Sequence, residues 1–292
     1  MAALAAGCIA LQPFGEVAFA EEAEATSQTA ATRAPEGARA AEVPEPDILT
    51  FHRANYFITG IDRETQVKFQ FSFKYDLWPN RGGHTVYLAY TQKSLWDLYE
   101  PSSPFRESNY APEAFYAHYH AAQRWWPDLG CGLFSEQAGF EHESNGESAE
   151  ASRSWNRLFV NVEATCAQGA VYGLLGLRLW YPLWIQENPE IIETQGYGEL
   201  VLGFGVDLPA AHTNALVTLA LRKGTSRELL KGSLVADARW RPTYQRLLGE
   251  AWKFAPFVWA QLFAGYGETL GTYDQTTTAV RVGIGFSDRP RN

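Results

Sequence analysis

Long hydrophobic runs are absent from this 292-residue chain. Its apolar stretches fall well short of the roughly 18–20 residues that a membrane-spanning helix needs, and its mean hydropathy is -0.25, so a helical membrane bundle is excluded. Cations are also scarce: 24 Lys and Arg stand against 33 Asp and Glu, which gives a formal net charge of -9. Because phosphate binding needs clustered cations, we expect no nucleic-acid partner.

Cysteine is rare as well. The chain has 3 Cys, which excludes a disulfide-rich scaffold and offers no zinc-ligand spacing. Cys131 and Cys166 fall near the ends of two consecutive predicted strands, where the alternation derived below assigns them to opposite faces. A disulfide between them, which an oxidising compartment permits, would therefore require an irregular strand end, and the sequence leaves the pairing open.

The N-terminal 47 residues differ in composition from the rest of the chain. Residues 1–20 form a short apolar stretch ending in Ala18-Phe19-Ala20, which predicts a cleaved signal peptide; the alternative is a disordered apolar N-terminus. Residues 21–47 contain seven acids, many Ala and Pro, and no aromatic residue. Such a segment buries too little surface to offset its ordering entropy, so we predict a disordered acidic tail followed by a folded domain over 48–292.

Strict alternation begins at Val67, in the sequence VKFQFSFKYDL. Apolar and aromatic side chains occupy one face, and Lys, Gln, Ser and Asp occupy the other. The alternation lasts about eleven residues, whereas soluble sandwich strands typically have about 5–6. This length, with aromatics on the apolar face, favours a tilted membrane strand.

Similar segments recur to the end of the chain. They cover about 52–60, 67–77, 86–98, 113–126, 131–145, 152–166, 170–184, 196–207, 214–223, 233–247, 256–267 and 277–287. An even number of strands closes a sheet and removes its edges. We therefore predict an all-β fold, a twelve-stranded antiparallel transmembrane β-barrel. A periplasmic N-terminus would place the connections Glu100–Pro112 and Asn145–Arg153 on the external side.

Three polar side chains interrupt an apolar face beside the second of these connections. His142 and Ser144 share the parity of Phe140, and Asn156 shares that of Leu158. A hairpin centred on residue 149 would bring all three together on the outer wall. The His could then take the proton of Ser144 while the amide oxygen of Asn156 orients its ring, and backbone N–H groups near Gly146 could form an oxyanion hole. The alternative is three ordinary rim residues.

Three separated stretches resemble the outer membrane phospholipase A family. They are His142 to Arg157 (HESNGESAEASRSWNR), Tyr90 to Trp96 (YTQKSLW) and Ser102 to Tyr110 (SSPFRESNY). The resemblance covers about residues 50–287. It implies a twelve-stranded barrel in the Gram-negative outer membrane, with an active site that faces the outer leaflet and hydrolyses phospholipid acyl esters (phospholipase A1/A2 and lysophospholipase). It also implies Ca²⁺ dependence and activity as a homodimer.

The resemblance also assigns roles to residues. Ser144 would be the nucleophile, His142 the base, Asn156 the group that orients His142, and the Gly146 amide an oxyanion donor. Calcium ligands would come from Glu147, Ser152 and a Ser102 of the partner subunit, and Gln92 would pair with its counterpart across the dimer.

Two positions leave alternatives open. Glu147 fills a position where the best-known member of that family has a basic residue. It could bind calcium through its carbonyl or its carboxylate, or lie outside the ligand shell of the ion. Gln92 could instead meet water at the membrane surface. The competing function is a non-catalytic outer-membrane barrel, either a narrow channel or a structural protein.

Overall fold

The described part of the chain is almost entirely β-sheet. The structure is a computed structural model that describes residues 48–60, 66–79, 82–120, 124–126, 130–185, 188–208, 213–241 and 254–288; the predicted signal peptide and acidic tail lie outside these ranges. The strands are β1 (Leu49–Phe51), β2 (Asn55–Gly60), β3 (Val67–Asp76), β4 (His84–Trp96), β5 (Phe105–Tyr119), β6 (Arg124–Trp126), β7 (Cys131–Ser144), β8 (Ser154–Gln168), β9 (Val171–Leu183), β10 (Gly198–Leu208), β11 (Thr213–Lys223), β12 (Gly232–Arg241), β13 (Phe254–Tyr266) and β14 (Thr276–Asp288).

The sheet closes on itself. Neighbouring barrel strands pair antiparallel in sequence order, and β14 pairs with β2, from Arg281 opposite Gly60 to Phe286 opposite Asn55. The short strands β1 and β6 only extend the pairing of β3 and β7. The remaining twelve strands form the barrel, so the predicted fold class and strand number are confirmed.

The two faces of the sheet have the predicted compositions. Apolar side chains stand exposed on the outer wall, among them Phe71, Phe73, Tyr75, Leu88, Leu158, Val160, Leu175, Leu177, Phe204, Val217 and Ile284. Polar and charged side chains alternate with them and are buried inside, among them Lys68, Ser72, Lys74, Glu113, Glu141, Arg157, Asn161, Glu163 and Arg281. Within the described ranges, no helix is long and apolar enough to cross a membrane.

Two segments at one end of the barrel fold back into its mouth. The helix α1 (Ile191–Gln195) buries Ile191 completely. In the β13–β14 loop, the Leu270 N–H donates to Asn109 Oδ1 at 3.1 Å and the Gly271 N–H to Glu107 Oε1 at 2.6 Å, both on β5. The interior that remains is a polar cavity of about 210 Å³. Side chains and these two segments therefore occupy much of the barrel interior in the part of the chain that the structure describes.

The predicted start of β5 is wrong. Residues 105–112 were expected in the connection Glu100–Pro112, but β5 already begins at Phe105. The polar residues Glu107 and Asn109 look like loop residues in the sequence. They instead bind the inserted β13–β14 loop, so their polarity reflects a buried partner inside the barrel.

The predicted placement of Cys131 and Cys166 on opposite faces is also wrong. Cys131 lies directly opposite Cys166 in the β7–β8 ladder, and the two are bonded. The register shifts by one residue between Leu133 and Ser135, which is a β-bulge. This extra residue turns Cys131 to the same side of the sheet as Cys166, and it supplies the irregular strand end that a bridge required.

Candidate active site

The β7–β8 hairpin positions the catalytic candidates as the sequence predicted. His142 pairs with Asn156 and Ser144 with Ser154, so the hairpin is centred on residue 149. All four face outward, because Leu158 and Val160, which follow Asn156 with the same parity, are about half exposed on the outer wall. Each of the four is half-buried. The structure thus brings His142, Ser144 and Asn156 together outside the barrel, near one rim.

Within the candidate triad, a hydrogen bond joins His142 and Asn156. Nδ1 of His142 lies 2.9 Å from Oδ1 of Asn156. An amide oxygen is only an acceptor, so the geometry assigns the proton to Nδ1 and leaves the lone pair on Nε2. That tautomer is the one a general base needs, since Nε2 is then free to accept a proton.

Ser144 stands two residues along the same strand, on the same face. Among the residues that the structure describes, no hydrogen bond joins its hydroxyl to His142. Such bonds are often long in a site without substrate and tighten when substrate binds. The arrangement places the hydroxyl and the imidazole on the same face of one strand, two residues apart.

A buried amide organises the loop that follows Ser144. The Asn145 side chain donates to the Ala151 carbonyl at 2.8 Å and accepts from the Arg153 N–H at 2.9 Å. Its oxygen also accepts from the Glu147 N–H at 3.3 Å. One side chain therefore holds both sides of the loop 145–153. The sequence analysis missed this role, although Asn at the start of a tight connection is a recognised turn signal.

Gly146 occupies a position that only glycine suits. Its φ is 71°, and a Cβ there would lie 2.8 Å from the Tyr110 ring. Tyr110 itself pairs with Ser144 across the β5–β7 ladder, on the outer face. Tyr110 is thus a further neighbour of the site that sequence reasoning did not single out.

The inner face of the same strands carries an ionic network. Arg157 Nη2 lies 2.9 Å from Glu141 and 2.8 Å from Glu143. Arg178 lies 2.8 Å from Glu141, and Arg53 bridges Glu141 and Glu113 at 2.9 and 2.7 Å. Buried charges are stable only when they are paired. Glu141 and Arg157, which alternate with the triad residues along β7 and β8, each have more than one such partner.

The calcium candidates lie in two loops at the same end of the barrel. Glu147 is exposed, and Ser152 is half-buried beside the 3-10 turn Ala149–Ala151, where its N–H donates to the Ala149 carbonyl at 3.1 Å. Ser102 lies in the β4–β5 loop with a φ of 66°. No hydrogen bond connects Ser102 to the loop 145–153 in the described part of the chain. The possible ligands are all oxygens, which is the donor set that Ca²⁺ prefers.

Gln92 lies two strands from Ser144 on the outer wall, opposite Tyr110. Its amide accepts from the Tyr90 hydroxyl at 3.2 Å and donates to Ser94 Oγ at 3.3 Å. Ser94 in turn contacts Ser108 Oγ at 2.7 Å. Tyr90, Gln92 and Ser94 therefore form a short polar row on the apolar outer wall, near the candidate triad.

Sequence comparison identifies relatives over nearly the whole barrel. A family model described as phospholipase A1 matches residues 46–287. Phospholipase A1 of Escherichia coli (strain K12) is 33% identical over 234 residues, which is 77% of this chain and 71% of that protein.

Solved structures agree with this result. Outer membrane phospholipase A from Escherichia coli matches with a TM-score of 0.65 and 29% identity, covering 85% of this chain and 95% of that one; that protein has also been solved as an active-site mutant in which an Asn is replaced by Ala. The Salmonella typhi outer membrane phospholipase, a dimer with bound calcium, matches with a TM-score of 0.64 and 28% identity over 84% of this chain and 94% of that one. This chain therefore belongs to the phospholipase A1 family.

Proposed function

We propose that this protein hydrolyses the acyl esters of phospholipids in the Gram-negative outer membrane, with Ser144, His142 and Asn156 as its catalytic residues. The observation that carries the proposal is the 2.9 Å bond between His142 Nδ1 and Asn156 Oδ1 on an otherwise apolar outer wall. Polar groups that face lipid are costly and usually functional. A lipid ester lying along this wall would reach the hydroxyl of Ser144 without entering the barrel.

Acylation begins with attack by Ser144. Its Oγ bonds to the ester carbonyl carbon while Nε2 of His142 accepts the hydroxyl proton. Asn156 keeps the imidazole in the required tautomer and stabilises the imidazolium that forms, because its oxygen accepts from Nδ1–H in both states. When the C–O bond of the ester breaks, His142 returns the proton to the leaving lysophospholipid oxygen, and an acyl-Ser144 ester remains.

Deacylation repeats these roles with water. Nε2 of His142 takes a proton from a water molecule as its oxygen attacks the acyl carbon. Collapse of the second tetrahedral state breaks the bond to Ser144 Oγ, which recovers its proton from His142, and a fatty acid leaves. The backbone N–H of Gly146, two residues after the nucleophile, would donate to the oxyanion of both steps.

Calcium fits the oxygen donors of the adjacent loop. The Glu147 carbonyl and the Ser152 hydroxyl would hold it, together with Ser102 of a second copy of the chain. The Glu147 carboxylate is exposed at this loop and would add negative charge, which Ca²⁺ sites favour. When bound, the ion supplies positive charge beside the developing oxyanion.

A homodimer would complete both the calcium site and the acyl groove. Ser102 lies in the β4–β5 loop and Ser152 in the β7–β8 loop of one chain, so a face-to-face pair could exchange Ser102 across its two-fold axis. Gln92 lies on the same wall, where a matching amide from the partner would satisfy hydrogen-bonding groups that lipid cannot.

The decisive assay is fatty-acid release from mixed micelles of phospholipid and detergent, with calcium and with a chelator. We expect turnover that the chelator abolishes and that Ser144→Ala removes. Ser154→Ala is the matched control, since it deletes a hydroxyl directly opposite on the same outer face. Turnover that persists in Ser144→Ala would refute the nucleophile assignment, and turnover in the presence of chelator would refute the metal requirement.

A further inference from the structure

A second group of ligating side chains lies at the other end of the outer wall. His118 lies on the outward face of β5, one residue before the strand ends, and pairs with Glu136 of β7; His120 follows two residues later. Glu136 has the parity of His142, and the six residue steps from one to the other, at about 3.3 Å each, put the two groups roughly 20 Å apart on one strand. The catalytic mechanism uses none of these three residues.

The three side chains converge on one point. One ligand atom from each of His118, His120 and Glu136 lies within 4.8 Å of the other two. Glu136 Oε2 is 3.9 Å from His118 Nδ1 and 3.7 Å from His120 Nε2. These separations exceed a hydrogen bond, so the carboxylate stands near both imidazoles without bonding to either.

The environment of His120 points independently to a missing partner. Its Nε2 is buried and has no hydrogen-bond partner in the described part of the chain. Buried polar atoms without partners are rare and call for an explanation such as an ion. The backbone around it is fixed, since the His120 N–H donates to the Phe134 carbonyl at 2.9 Å and the Tyr119 N–H to the Gly83 carbonyl at 2.9 Å.

A third imidazole stacks against the group. His84 of β4 pairs with His118 and stacks on its ring, with centroids 4.0 Å apart and an interplanar angle of 9°. Nδ1 of His84 is bonded to the Tyr116 hydroxyl at 2.5 Å. The stacking restricts rotation of the His118 ring, which lowers the ordering cost of binding an ion there.

From this geometry we propose that His118, His120 and Glu136 bind one divalent transition-metal ion of the Zn²⁺ class. Zn²⁺ holds its ligands at about 2.0–2.2 Å, which sets neighbouring tetrahedral ligand atoms about 3.4 Å apart. The observed 3.7 and 3.9 Å need only small side-chain rotations to reach that spacing. Two His and one carboxylate form a ligand set that suits Zn²⁺, while Ca²⁺ prefers oxygen ligands alone.

Such an ion would clamp β5 to β7 outside the barrel. The ladder between these two strands leaves Ala111 and Pro112 unpaired, between the pairs Tyr110–Ser144 and Glu113–Glu141. A metal link at the far end of the same two strands would restrain their splaying. The ion therefore has a structural role, separate from the calcium proposed for catalysis.

The test measures Zn²⁺ binding to the full chain in detergent micelles, purified without a histidine tag, by competition with a fluorescent chelator. We expect one Zn²⁺ per chain, with affinity at least about tenfold weaker in His120→Ala and in Glu136→Gln, and no displacement by excess Ca²⁺. His142→Ala is the control for nonspecific Zn²⁺ binding by an imidazole elsewhere on the outer wall, because His142 lies on the outer face of β7, and we expect it to bind Zn²⁺ like the unchanged protein.

Three results would overturn the proposal: no binding by the unchanged protein, binding unaffected by His120→Ala and Glu136→Gln, or loss of binding in His142→Ala. Catalytic turnover of the His120→Ala and Glu136→Gln proteins with Ca²⁺ reports whether their barrels fold. Glu136→Gln is the milder change, because its side chain is 52% exposed and its removal of charge leaves the packing intact.

Discussion

Replacing Asn156 with Ala tests the orientation of the His142 imidazole, the proposed general base. The change deletes the acceptor that lies 2.9 Å from His142 Nδ1 and leaves Ser144 in place. A hydrogen bond between neutral groups contributes about 0.5–1.5 kcal/mol, whereas one to a charged group contributes about 1.5–3 kcal/mol. The bond gains strength as His142 becomes an imidazolium, so its loss is felt mainly in the transition state. Only the gain in bond strength between the two states, about 1–1.5 kcal/mol, lowers kcat. We therefore expect kcat to fall roughly 5- to 12-fold, with KM nearly unchanged, because each factor of ten corresponds to about 1.4 kcal/mol.

The assay is initial-rate fatty-acid release at saturating calcium, over a range of substrate concentrations. Asn156→Asp keeps an acceptor in place and should retain more turnover than the Ala variant, while Ser154→Ala should match the unchanged protein. A loss as large as that of Ser144→Ala would show that Asn156 does more than orient the ring. An unchanged kcat would show that the bond has no part in catalysis.

Four further perturbations have defined outcomes. Gly146→Ala should reduce kcat and lower stability by about 1–3 kcal/mol, since a φ of 71° and a Cβ 2.8 Å from the Tyr110 ring strain the loop; equal rates and equal unfolding midpoints would contradict this. Ser152→Ala should raise the calcium concentration needed for half-maximal turnover, and an unchanged calcium titration would remove Ser152 from the site. Reducing the Cys131–Cys166 disulfide, which closes a 35-residue separation, should lower unfolding stability by about 4 kcal/mol, measured by denaturant titration with and without reductant; coincident curves would contradict the estimate. Burial would raise the pKa of Glu268, but the nearby Lys68 and Arg281 lower it to about 2, below its usual value of 4.5. The ionised carboxylate therefore stabilises the barrel at pH values above about 5, and this contribution is lost as pH falls from about 5 to 2. Glu268→Gln should flatten that acid-side loss in thermal unfolding, and an unaltered pH profile would refute it.

The sequence was sufficient to predict the parts of this molecule that depend on alternation. Period-2 patterning over about eleven residues distinguishes an outer from an inner face, and it gave the strand number and the register of the β7–β8 hairpin. That register alone predicts that His142 and Asn156 lie opposite each other on the two strands. Local periodicity is enough here because each strand pairs with its neighbours in the chain.

Features that depend on non-local partners could not be predicted. Glu107 and Asn109 look like loop residues in the sequence because the backbone N–H groups that bind them are distant along the chain. Glu107 accepts from Gly271, 164 residues away, and Asn109 accepts from Leu270, 161 residues away. The bulge that aligns Cys131 with Cys166 has no marker in the residues themselves. Strict alternation that ignores the inserted residue assigns every position beyond it to the wrong face. For this reason the sequence pattern places the two cysteines on opposite faces.

The buried charges behind the active site explain how a polar triad can be kept on a lipid-facing wall. A register slip of one residue would turn every side chain of β7 or β8 to the opposite face. Such a slip would move Glu141 or Arg157, which now pair directly across the ladder at 2.9 Å, onto the apolar exterior. An unpaired charge there costs several kcal/mol, far more than the triad residues cost in their present positions. The inner ionic network thus specifies the register, and the register in turn places His142, Ser144 and Asn156 outside, where a phospholipid can reach them.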